Sequence, residues 1–129
     1  MDKWQLQKVV PAELTQPQWQ AIHTLSVTLR QESLPDDPPP TLVEVIQSWS
    51  IHPPVAEERA WVAWDAHAPE EAPRAIGYNR TTILHMEENA HLAQMYIGVH
   101  PAARRQGLGR QLFAFSIAFA QETGRRLII

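Results

Sequence analysis

The 129-residue chain has no cysteine, and that excludes a disulfide framework, a thiolate nucleophile and a Cys-ligated zinc site. Lysine is nearly missing too. Of 11 cations nine are arginine, and against 14 carboxylates they leave a net charge of -3, so there is no broad cationic surface for a nucleic-acid backbone. No apolar run reaches the length of about 18 residues needed to cross a bilayer, and the start, from Met1 to Lys8, lacks the apolar stretch of a secretory leader. A cytoplasmic protein without membrane or nucleic-acid partners is the expectation. No internal repeat is present, and the only compositionally biased segment is Leu34 to Pro40, where Pro35, Pro38, Pro39 and Pro40 enforce an extended loop.

What remains is a globular balance, 44% apolar and 19% charged, at a length that suits one domain over residues 1–129. Trp4 to Val10 reads as a short strand. Thr15 then offers an N-cap ahead of Pro17, and Trp19, Ile22, Ser26 and Leu29 recur at helical spacing. After the proline loop, Thr41 and Glu44 form a capping box for a second helix to about Trp49, ended by Pro53 and Pro54. Strands follow over Arg59–Asp65, Arg74–Leu84 and Leu92–Val99. The alternation of Ala60, Val62 and Trp64 supports the first, β-branched and aromatic content the second, and Glu87, Glu88 and Asn89 mark a turn before the third. Gly107 to about Thr123 is an apolar helix, with Leu108, Leu112, Phe115 and Phe119 on one stripe and Phe113 and Ile117 beside it, so burial against a sheet is predicted. Gly124 ends it and Arg125 to Ile129 begins a fifth strand. The order is β-α-α-β-β-β-α-β.

Chemistry concentrates between the fourth strand and the last helix. Gly98 interrupts an otherwise good strand, which suggests a bulge or a backbone left open for a ligand. Beyond Val99, His100 and Pro101, the run Arg104, Arg105, Gln106, Gly107, Leu108, Gly109, Arg110 leads into the helix. Glycines let an anion approach the backbone, and the first helical amides with the positive end of the dipole suit a pyrophosphate. The arginines add charge-assisted bonds at its rim. An arm carrying two amides could pair with the Gly98 edge as a pseudo-strand. Other phosphate motifs fit worse, since no Gly-Lys-Ser/Thr is present and Leu112 stands where a dinucleotide fold wants a small residue.

Arg104 to Gly109 resembles the R/Q-x-x-G-x-G/A loop of GNAT-type N-acetyltransferases, and Val99 to Pro101 resembles that family's Val-x-Pro entry to it. The resemblance implies an α/β (α+β) fold with a mixed, mostly antiparallel sheet, and acetyl-CoA as acyl donor. It implies direct attack by a primary amine, on a small molecule or peptide, in a ternary complex. Cofactor contacts would come from the backbone of Ile97, Gly98 and Val99 and from the loop Arg104, Arg105, Gln106, Gly107, Leu108, Gly109 and Arg110. Many members take the base from a glutamate on the fourth strand, which aligns with Ala93 here. The substitutes are His85, Glu87, Glu88 and His91 around the preceding turn, residues that read more readily as an exposed hairpin end. No metal is assigned to them, because a turn gives no rigid ligand geometry. The tyrosine that members use as acid comes from a helix after the fifth strand. Tyr78 and Tyr96 do not inherit that role and read as packing residues, while Trp49 reads as core or as the wall of an acceptor pocket.

The same resemblance predicts more sheet after the fifth strand. The expectation is therefore a domain truncated in or after that strand, part of a longer chain or completed by a second copy as a homodimer, since Arg126 to Ile129 without partners would be an aggregation-prone edge. Two functions follow: an acetyl-CoA-dependent N-acyltransferase, or a catalytically silent acyl-CoA-binding or interaction domain on the same scaffold.

Overall fold

The computed structural model describes residues 3–129. Eight elements follow the expected order: β1 (Trp4–Lys8), α1 (Gln16–Ser33), α2 (Leu42–Ser50), β2 (Ala56–Asp65), β3 (Ala75–Leu84), β4 (Leu92–Val99), α3 (Leu108–Glu122) and β5 (Leu127–Ile128), with one-turn helices between some of them, Pro11–Glu13 first. The eight strands and helices just named form an α+β fold around one five-stranded sheet of order β1-β2-β3-β4-β5. All pairs are antiparallel except β4 with β5.

Both N-terminal helices start at capping boxes. Thr41 Oγ1 accepts from Glu44 N (3.1 Å) while Glu44 Oε1 accepts from Thr41 N (2.9 Å). Thr15 and Gln18 make the same exchange at α1, at 3.3 and 2.9 Å. Each box satisfies two amides that the helix itself leaves unpaired.

Helices α1 and α2 cover one face of the sheet, where Trp19, Ile22, Leu25, Val45 and Trp49 pack on Val62. Helix α3 covers the other. Leu108 and Leu112 meet Ala63, and Phe119 and Ala120 meet Ile83 and Ala93. Trp61 stacks on Phe115 with ring centroids 3.8 Å apart.

Four expectations change. Strand β2 begins at Ala56 rather than Arg59, because Ala56, Glu57 and Glu58 find partners in Leu84, Ile83 and Thr82. The buried stripe of α3 runs through Ser116, whereas Ile117 is exposed. β4 has no bulge. Its register with β3 is continuous from Gln94 to Val99, and the irregularity in the sheet lies between Ala63 and Trp64. The final strand is not partnerless, since Leu127 and Ile128 pair with Leu92 and Ala93. Among the described residues no helix is long and apolar enough to cross a membrane.

Candidate functional site

β4 carries two different edges on its β5 side. Ile129 N donates to Ala93 O (2.9 Å) and Met95 N donates to Ile129 O (2.8 Å), which closes the first half. From Tyr96 to Val99 no described strand pairs on that side. His100 N bonds Ile76 O (2.9 Å), so antiparallel alternation directs Gly98 toward β3 and turns the polar groups of Ile97 and Val99 to the open edge. Val99 C=O accepts from Arg104 Nε (3.1 Å), which leaves Ile97 N–H, Ile97 C=O and Val99 N–H for another chain or ligand.

The glycine of that strand answers to packing. A Cβ on Gly98 would lie 2.5 Å from Leu29 Cδ1 and 2.8 Å from Tyr78 Cε1. Its lack of a side chain lets α1 close onto β4. A shallow groove of about 320 Å³ results, bounded by Leu29, Glu32, Tyr96, Gly98 and Arg104.

The loop that follows builds an amide cradle. Pro101–Ala103 is a one-turn helix capped by His100, whose Nδ1 accepts from Ala102 N (3.0 Å). Burial, with help from Arg74 and Arg104, pushes the His100 imidazole below its ordinary pKa, in keeping with that unprotonated acceptor. Arg105 (φ 62°) and Gly107 (φ 91°) then take left-handed backbone and turn the chain into α3. Gly107 is the N-cap and supplies no side chain to the first amides of α3. A Cβ on Gly107 would meet nothing within 4 Å, and one on Gly109 would meet only Val99 Cγ2 at 3.9 Å. Neither glycine is demanded by protein packing at its side-chain position. A glycine in a helix costs about 1 kcal/mol against alanine, so Gly109 keeps an approach to backbone open at some expense in stability.

The arginines of the loop divide. Arg104 is held in place, its two terminal nitrogens on the Glu32 carboxylate (2.7 Å for Nη1) and its Nε on Val99 O. That hydrogen bond holds the exposed Glu32 carboxyl below the usual range. Among the described residues Arg105 and Arg110 take part in no salt bridge, and both are exposed at the mouth of the cradle. Gln106 Oε1 accepts from Lys3 Nζ at 3.3 Å.

On the α1/α2 side a cavity of about 510 Å³ is walled by Ser26, Arg30, Glu44, Trp49, Tyr78 and Tyr96. A second, of about 520 Å³, is bounded by Glu58, Arg80, Thr82, Gln94, Tyr96 and Ile129. Tyr96 lines both of these and the β4 groove. It is 52% exposed rather than packed, so the expectation of a packing residue holds only for Tyr78, where burial pushes the phenol pKa upward. Trp49 is core, 3% exposed, and its edge also lines the first cavity. Glu58 is held by Arg80 Nε and Nη2 at 2.9 and 3.1 Å.

The residues proposed as base are elsewhere. His85, Glu87, Glu88 and His91 surround the β3–β4 turn, at the far end of β4 from Val99, roughly 20 Å away at about 3.3 Å per residue. His85 Nε2 pairs with Glu57 Oε1 at 3.0 Å, and none of the four lines any of these cavities. Ala93 is fully buried beneath α3, on the face away from the cavities. The sequence reading missed Glu32 and Glu58, whose roles depend on partners 72 and 22 residues away.

A search of curated proteins finds no match. The model of the acetyltransferase (GNAT) family matches residues 19–129. Among solved structures, a tandem GNAT protein from the clavulanic acid biosynthesis pathway is 24% identical with a TM-score of 0.71, over 95% of this chain and 34% of that one. An aminoglycoside acetyltransferase from an uncultured soil metagenomic sample, in complex with sisomicin, is 14% identical with a TM-score of 0.64, over 98% and 76%. The Salmonella typhimurium protein yncA, with its cofactor acetyl-CoA, is 15% identical with a TM-score of 0.64, over 96% and 66%. The chain thus spans about a third of the tandem protein's length. At these identities the three likenesses concern the fold.

Proposed function

This chain belongs to the acetyltransferase (GNAT) family, and from that premise we propose that it transfers an acetyl group from acetyl-CoA to a primary amine, by direct attack in a ternary complex. One observation carries the reading: the uncapped amides at Leu108–Arg110 stand beside an unpaired β4 edge, so a pyrophosphate site and an amide-pairing site adjoin. Arg105 and Arg110 would add charge at the phosphates. Ile97 and Val99 would hold the arm, and Arg104 would keep the edge in shape from its seat on Glu32.

In the transfer, the amine nitrogen forms a bond to the acetyl carbon, the carbon–sulfur bond breaks, and the thiolate of coenzyme A leaves and takes a proton. A backbone N–H at the open edge is the donor available to the developing oxyanion. The acceptor would enter by the cavities that meet at Tyr96, and their carboxylates, Glu44 and Glu58, replace the distant turn as candidates to receive the ammonium proton. The acceptor is a small-molecule or peptide amine; the sisomicin complex of one relative shows an amine-rich ligand in a protein of this fold.

The second reading, a silent acyl-CoA-binding domain, draws on β4 itself, which has no carboxylate from Leu92 to Val99. One measurement tests the cradle that both readings share, and a second separates them. Acetyl-CoA should raise the melting temperature of the wild type. Gly109→Glu should abolish that shift without lowering the baseline, because glutamate favours a helical first turn yet repels phosphate. An equal shift in both proteins would refute the cradle. Coenzyme A release over an amine panel then distinguishes turnover from binding alone.

A further inference from the structure

Two hydroxyls and an amide sealed between β3 and α3 take no part in the site as described. Asn79, Thr81 and Ser116 are 0%, 1% and 0% exposed. Their contacts fix the direction of every bond. Thr81 Oγ1 donates to Asn79 Oδ1 (2.7 Å), which uses its only hydrogen. The 2.7 Å contact between the Thr81 and Ser116 hydroxyls is therefore donated by Ser116. Asn79 Nδ2 spends its two hydrogens on Ser116 Oγ (2.7 Å) and on the Leu112 carbonyl (2.6 Å). Three bonds run head to tail around a closed ring, a fourth ties it to the backbone of α3, and no side-chain donor is left over.

This ring lies on the seat of the cradle helix. Gly77, Asn79 and Thr81 alternate along one face of β3, and a Cβ on Gly77 would already be 3.0 Å from Leu108 Cδ2 and 3.2 Å from Leu112 Cδ1. Leu112, whose carbonyl the ring grips, is one helical turn beyond Leu108. Contacts of leucine and phenylalanine are non-directional and tolerate small slides of a helix, whereas hydrogen bonds to one carbonyl specify rotation and height together. We infer that Asn79, Thr81 and Ser116 are positioning residues, whose ring sets the roll and axial height of α3 on β3 and so aims the amides of Leu108, Gly109 and Arg110. The inference rests on the reading of those amides as the coenzyme A site.

The test is an all-apolar variant, Asn79→Leu with Thr81→Val and Ser116→Ala. Removing every partner at once leaves no buried polar side chain unmet and is often close to neutral for stability. The expected result is a melting temperature near that of the wild type with a Kd for acetyl-CoA raised about tenfold or more. Without ligand, amide exchange at Gln111–Phe113 should quicken about tenfold. Thr81→Ser keeps the ring hydroxyl and should bind like the wild type. A merely structural ring moves binding and stability together, so wild-type affinity and wild-type exchange in the folded triple variant would overturn the inference. If that variant does not fold, Ser116→Ala opens the ring while leaving Asn79 on Leu112, and the same two readouts decide. Should the wild type not bind acetyl-CoA, the cofactor reading fails, and exchange at Gln111–Phe113 still judges the ring.

Discussion

Gly98 and Gly107 lack a side chain for opposite reasons. At Gly98 the space is taken by Leu29 and Tyr78, while at Gly107 it is empty and the constraint is a φ of 91°. Gly98→Ala must displace a leucine and a tyrosine ring, and overpacking of this kind costs about 1 to 3 kcal/mol, to be read from denaturant unfolding. A bulge at Gly98 was a fair expectation, because in sequence a glycine that admits a helix looks the same as one that breaks a ladder. His100 gives a pH test. Its pKa is depressed in the folded protein, so just below the ordinary imidazole value of 6.5 the unfolded chain binds more protons. The contribution to stability is complete above that value and is lost as pH falls through the folded pKa. The difference in melting temperature between wild type and His100→Ala should shrink on acidification below pH 6.5, and a constant difference would remove His100 as a cap.

Helix starts were legible because their partners are three residues apart. Thr41 and Glu44 meet in α2 as expected, and Thr15 caps α1 as expected, where Gln18 adds the second half of a box that the sequence reading did not name. Thr41→Ala should therefore cost about 1 kcal/mol, measured by chemical denaturation, and Thr41→Ser should restore most of it. Strand starts were less legible. The first residues of β2, Ala56, Glu57 and Glu58, have no strand character of their own, and only their ladder with β3 makes them one. In α3 the apolar pattern admits Ile117 as readily as Ser116. Burial selects the serine because a polar pair waits on β3.

One sheet divides the molecule into an α1/α2 layer and an α3 layer, and the central strand β3 is covered on both sides. Ile22 and Leu112, both 0% exposed, sit in opposite layers. Each truncation to alanine should cost about 2 to 5 kcal/mol. Because the layers share β3, both variants should lower a single transition, with circular dichroism and tryptophan fluorescence coincident. Separate midpoints for the two probes would show layers that unfold independently.

The sequence alone determined the element order, the helix caps and the glycine-arginine loop at the end of β4, since these depend on residues within a few positions of one another. It also carried the family, through Arg104 to Gly109. Tertiary structure decided which residues that loop works with. It put Arg104 on Glu32, left Ile97 and Val99 at an open edge, placed Glu44 and Glu58 on the cavities that meet at Tyr96, and closed the ring of Asn79, Thr81 and Ser116. Those pairings cross tens of residues of chain, and neither periodicity nor local spacing records which buried polar group meets which.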